Sequence, residues 1–147
     1  MELKLLLVVH IFSAMVWMGG LLIITLGVLP GAWKKNDPDR LETFLKPFER
    51  IGYPALLFQI LTGFRLAMKQ VSPSEWFSAF NVASWLVTLK FILFGLTVFL
   101  ILLEKLAINK QSGKGRMNLL GLNTLALTLI AILFVLTGLS FRFGILV

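Results

Sequence analysis

LLLVVHIFSAMVWMGGLLIITLGVL, residues Leu5 to Leu29, runs without a single Asp, Glu, Lys or Arg. A helix needs about 20 consecutive apolar residues to cross the hydrocarbon core of a bilayer. Three more long apolar runs follow, Ile51–Met68 with Arg65, Val82–Leu103 with Lys90, and Met117–Phe141. Hydrophobic residues make up 58% of the 147 and the mean hydropathy is +0.90. A soluble domain of this size cannot hide so much apolar surface, so the solvent and first partner is lipid. The expected fold is all-α: one domain over residues 1–147, an integral-membrane four-helix antiparallel bundle. The first run is too long for the apolar core of a signal peptide and leads into Leu29-Pro30-Gly31-Ala32-Trp33 without a small-x-small cleavage site, so it reads as a retained helix.

The net charge is +7, from 14 Lys/Arg against 7 Asp/Glu. No soluble module carries a basic face for nucleic acid, so no nucleic-acid partner is expected. The cations sort by connection instead. Gly31–Arg50 holds Lys34, Lys35, Arg40, Lys46 and Arg50, and Glu104–Arg116 holds Lys105, Lys110, Lys114 and Arg116. The opposite side has Lys4, Arg65, Lys69 and Arg142. The positive-inside rule puts the two basic connections in the cytoplasm and both termini on the extracytoplasmic side of the inner (cytoplasmic) membrane.

Within the connections, Asp37-Pro38-Asp39 reads as the cap of a short interfacial helix over Arg40–Leu45 that Pro47 stops. Ser72-Pro73-Ser74-Glu75-Trp76-Phe77 reads as a capped turn with aromatic membrane anchors. Glu49-Arg50 reads as a local surface pair. A weak repeat links Leu57-Phe58-Gln59-Ile60-Leu61-Thr62-Gly63 with Leu133-Phe134-Val135-Leu136-Thr137-Gly138, each followed by an arginine. It suggests two repeated helical hairpins.

His10 is the only histidine and there is no cysteine, which excludes disulfides, Fe–S clusters and thiolate metal sites. An imidazole at membrane depth costs free energy unless it is hydrogen-bonded or bound to a metal. Two readings stand side by side: a ligand, or a ring satisfied by a neighbouring hydroxyl. Thr62, Arg65, Lys90, Thr137 and Ser140 fall at about the depth of His10. The hydroxyls are expected to bond back to their own helices, and Arg65 and Lys90 either snorkel or face the interior. Trp17 shares the face of His10, two turns on. Met15 and Met18 are soft donors suited to Cu(I) or a haem axial position, and equally ordinary packing residues. Gln59, Asn118 and Asn123 are expected to bond between helices. No phosphate loop, dinucleotide fingerprint, zinc-protease motif or nucleophile elbow is present.

His10-Ile11-Phe12-Ser13-Ala14-Met15-Val16-Trp17-Met18-Gly19-Gly20 resembles the first helix of the copper-resistance protein D (CopD) family. The likeness continues at Phe48-Glu49-Arg50, Leu61-Thr62-Gly63, Leu89-Lys90 and Arg116-Met117-Asn118-Leu119-Leu120. The same segments resemble the HemJ-type protoporphyrinogen IX oxidases, with Trp85 and Lys90 as the helix-three pair. In that family a methionine, a suspected haem ligand, stands where this chain has Phe48. The resemblance implies copper or haem b bound through His10, with Met15 and Met18 as further metal donors and Trp17, Arg65 and Lys90 as cofactor contacts. It implies a role in metal or cofactor transport or handling. The alternatives are a haem-dependent oxidase acting on a porphyrin, and a cofactor-free membrane assembly protein. One histidine cannot give bis-His ligation in a monomer, so a second ligand would be a methionine, Lys90, water or His10 of a second subunit, and a homodimer is one expectation.

Overall fold

The computed structural model describes residues 2–78 and 81–143, with side chains through 141. The Arg142 side chain, counted above, lies outside that set. Four helices are long and apolar enough to cross a membrane: α1 Glu2–Lys35, α2 Pro38–Gln70, α3 Val82–Leu106 and α4 Gly113–Phe143. The chain is a helical, membrane-embedded protein. Its exposed surface is apolar, as a lipid-facing one must be: Leu26 is 73% exposed, Ile23 70% and Phe12 65%.

The helices pair as two hairpins. α1 packs along α2, α3 along α4, and α1 joins the two by lying against α4. α2 and α3 stand further apart and meet through long side chains, such as Phe64 with Phe91 and Glu49 with Lys105. Three buried clusters run along the bundle. Leu29, Ala32, Leu41, Leu45 and Met117 fill the end with the basic connections, hereafter the basic end. Trp17, Leu21, Leu127 and Ala131 fill the middle. Val71, Trp76 and Val87 fill the end with the termini.

The helices run further than the apolar runs. α1 passes straight through Pro30. A π-turn at Ile24–Val28 precedes it, and the Leu29 N–H bonds to the Ile24 carbonyl, five residues back. The chain is thereby offset by one residue, and Pro30 falls in the first turn of the next helical segment, where its missing N–H is not needed. The helix ends at Asn36, which takes the left-handed conformation at φ 49°.

The short interfacial helix stopped at Pro47 is corrected: α2 continues unbroken through Pro47 and Pro54 to Gln70. Its start is as read, with Asp37 Oδ1 accepting the Arg40 N–H at 2.9 Å. Each proline removes one backbone bond. Burial of Leu41, Leu45, Gly52 and Ala55 on the same helix holds the geometry, and neighbouring helices commonly make proline tolerable in membranes.

The second connection keeps its turn, a single 3-10 turn at Pro73–Glu75, but Ser72 caps no backbone N–H. Trp76 is no membrane anchor. It is 6% exposed, edge-on to Phe64, and donates Nε1–H to the Val71 carbonyl at 2.9 Å. Phe77 is 70% exposed.

Candidate functional site

His10 sits at a close approach of α1 and α2. Gly63 makes that approach possible: a Cβ there would stand 3.0 Å from His10 Cε1. The ring is half-buried, with Nδ1 2.9 Å from Thr62 Oγ1 and 3.1 Å from the Gln59 carbonyl oxygen.

These contacts fix the tautomer. The Gln59 carbonyl can only accept. The Thr62 hydroxyl gives its proton to the Phe58 carbonyl at 2.6 Å, one turn back on its own helix, so toward the ring it too accepts. Nδ1 therefore carries the hydrogen, and in the neutral ring Nε2 holds the lone pair. Nε2 makes no hydrogen bond among the described residues. A histidine ligand typically shows this arrangement, one nitrogen donating to an oxygen acceptor and the other free.

The remaining expected site residues divide into groups. Lys90 is half-buried within electrostatic range of His10, with Nζ 4.6 Å from the centre of the Phe141 ring and no carboxylate partner among the described residues. Arg65 is not brought to His10. Its guanidinium snorkels to the surface and pairs with Glu2 at 3.4 Å, beside Lys69 at 3.1 Å from the same carboxylate. Met15 is turned about 140° around α1 from His10 and is 60% exposed, so it faces lipid. Met18 packs with the central cluster. The trio of His10, Met15 and Met18 is thus not assembled. Among the described residues no three His, Cys, Asp or Glu side chains form a metal cluster.

Trp17 shares the face of His10 but lies about 10 Å further along the helix. Its ring is 5.5 Å from that of Phe48 and 6.4 Å from that of Tyr53. Phe48 in turn lies on Gly20 and Gly52, where an added Cβ would come within 2.1 Å and 2.9 Å of its ring. Phe48 is thus a wedged hydrocarbon ring with no donor atom.

Gln59 is corrected: its backbone carbonyl reaches His10, but its side-chain Oε1 is buried without a partner and, among the described residues, the side chain makes no bond between helices. The remaining polar expectations hold. Thr137 and Ser140 bond back to Leu133 and Leu136 at 2.7 and 2.9 Å. Asn118 accepts from Trp33 Nε1 at 3.1 Å, between α4 and α1. Asn123 donates to Glu104 at 3.1 Å, between α4 and α3.

Glu49 is corrected: it forms no local surface pair. Both its oxygens lie 2.6 Å from Lys105 Nζ on α3. Glu104, read as the first residue of a connection, is still helical and only 6% exposed. Sequence reasoning passed over it because it follows the last apolar residue of its run. One signal was available: Glu104 is the sole acid on α3 and sits next to a lysine.

The chain has no significant match among protein-family models, curated proteins or solved structures.

Proposed function

We propose that this membrane protein holds a metal cofactor through His10 Nε2, and that the cofactor is haem b, in a transport or handling role of the CopD type. The observation that carries the reading is the Nδ1 hydrogen held between two oxygen acceptors, which leaves Nε2 as an oriented donor with no hydrogen bond among the described residues. Among those residues only one such donor stands at the site. A bare copper ion needs several protein ligands, and the two methionines lie elsewhere. A porphyrin brings four nitrogens of its own, so a single imidazole suffices for it. Bound haem would supply one-electron chemistry at its iron. The chain's own residues do the rest: Thr62 and Gln59 orient the ring, Gly63 gives it room, and Lys90, with no carboxylate partner among the described residues, offers a cation at the same level for an acidic group.

The test is reconstitution of the detergent-purified chain with haem b and, separately, with Cu(I). Wild type is expected to develop a Soret band that His10→Ala lacks. Thr62→Val, which removes one acceptor from Nδ1, is expected to weaken haem binding about tenfold. Copper bound in place of haem would reassign the cofactor. A wild-type protein that stays colourless and metal-free after both treatments ends the reading and favours a cofactor-free assembly role.

A further inference from the structure

A second polar site lies at the basic end, and the His10 reading does not use it. Glu104 of α3 is 6% exposed. Its only hydrogen bond from the described residues is the 3.1 Å contact from Asn123 Nδ2 of α4. The carboxyl of Glu49, from α2, stands beside it, with the Tyr53 hydroxyl next to Glu49. A cavity of about 10 Å³, room for one water, adjoins the group and is lined by Glu49, Tyr53, Glu104 and, from α1, Trp17.

The charge count is what makes the group unusual. The cation facing it is Lys105, and both oxygens of Glu49 already hold Lys105 at 2.6 Å. Among the described residues Tyr53 is the only other titratable group there, and α1 contributes no charge to it. Glu104 therefore has one amide donor, a neighbouring carboxylate and no cation of its own. A buried carboxylate in that position is costly unless something neutralises it. Asn123 adds to the same deficit, since its Oδ1 is buried without a partner.

The cluster also leads outward. Exposure rises from 6% at Glu104 to 17% for the Glu49 side chain and 38% for that of Lys105. A dry carboxyl thus connects through a half-dry one to water at the basic end.

We propose that Glu104 is a proton-binding site of the bundle, loaded and emptied through Glu49 and one water in the adjoining cavity. On loading, a proton passes from bulk water to the Glu49 carboxylate and on to a Glu104 oxygen, where an O–H bond forms. Glu49 returns to its ion pair with Lys105. No electron moves and no co-reactant is needed.

Infrared difference spectroscopy on the full chain in lipid vesicles tests this. Wild type is expected to show a protonated-carboxyl C=O band at neutral pH that vanishes reversibly in base. Glu104→Gln is expected to lose it. Glu104→Asp, which keeps an acid should the glutamine variant fail to fold, is expected to move the band. The double variant Glu49→Gln with Lys105→Met removes the adjacent ion pair as a unit and is expected to retain the band at equilibrium but to gain and lose it more slowly after a pH jump; an unchanged rate overturns the route through Glu49. Absence of the band in wild type, its survival in Glu104→Gln, its unchanged position in Glu104→Asp, or its loss in the double variant overturns the proposal. So does sodium abolishing the band at fixed pH while potassium does not, which would make Glu104 a sodium site. None of these outcomes depends on whether His10 binds haem.

Discussion

Replacing Gly63 with alanine sets two calculable effects against each other, and the chain supplies its own control. Gly63 and Gly138 occupy matching places in the weak repeat, each just after a threonine bonded back to its own helix. Alanine at either site gains about 1 kcal/mol of helix propensity over glycine. A Cβ on Gly138 meets nothing within 4 Å, so Gly138→Ala is expected to keep that gain. A Cβ on Gly63 meets His10 Cε1 at 3.0 Å and Nδ1 at 3.6 Å. The ring cannot retreat without lengthening its contacts to Thr62 and Gln59, and such overpacking costs about 1–3 kcal/mol. Gly63→Ala should therefore fall about 1–3 kcal/mol below Gly138→Ala. The assay is reversible unfolding in mixed detergent micelles, followed by helical circular dichroism. Imidazole nitrogen NMR should register a change in Gly63→Ala alone. Equal stability of the two variants, with an unchanged His10 signal, would refute the tight seating of the ring.

Further outcomes follow from other contacts. Thr62→Val is expected to cost about 0.6–1.7 kcal/mol in the same assay, toward the low end because the Gln59 carbonyl remains for Nδ1–H, while Thr62→Ser should be close to neutral. Arg116 joins the start of α4 to α2 through Asp39 at 3.1 Å and Glu42 at 2.8 Å. Arg116→Ala is expected to cost about 1 kcal/mol at low salt and less at high salt, and an effect independent of salt would argue against the ion pairs. Cysteines at positions 36 and 112, both exposed at the basic end, should resist an impermeant thiol reagent applied to whole cells. Labelling of both would reverse the orientation given by the basic connections.

How much of this was legible beforehand differs between lipid-facing and interior features. The four spans were readable because lipid demands long apolar runs, whatever packs against them. The boundaries were not, since a helix in this chain continues wherever tertiary contacts support it. Pro47 has the local chemistry of a stop, and only the burial of Leu41 and Leu45 on the same helix explains why it is none. At the site, His10 was singled out because it is the one histidine and lies inside an apolar run. That Nδ1 rather than Nε2 is committed required knowing which residues of α2 face it. Arg65 was misleading because depth along a helix was known but direction around it was not. Glu104 was passed over and Glu49 misread as a surface pair for a related reason: each lies at the edge of an apolar run, where a charge ordinarily marks the way out to water.

The π-turn in α1 has a consequence for how this chain can change over time. It amounts to one extra residue at mid-helix, and one residue is about 100° of rotation. The half carrying His10 and Trp17 and the half carrying Leu29 and Trp33 are therefore indexed separately, each free to suit its own neighbours. An uninterrupted α-helix would lock them together, so that an angle favourable to His10 against α2 would dictate where Trp33 meets Asn118 on α4. With the insertion, the two ends of the molecule can diverge under different demands, the contact surface of one being revised without re-aiming the imidazole of the other.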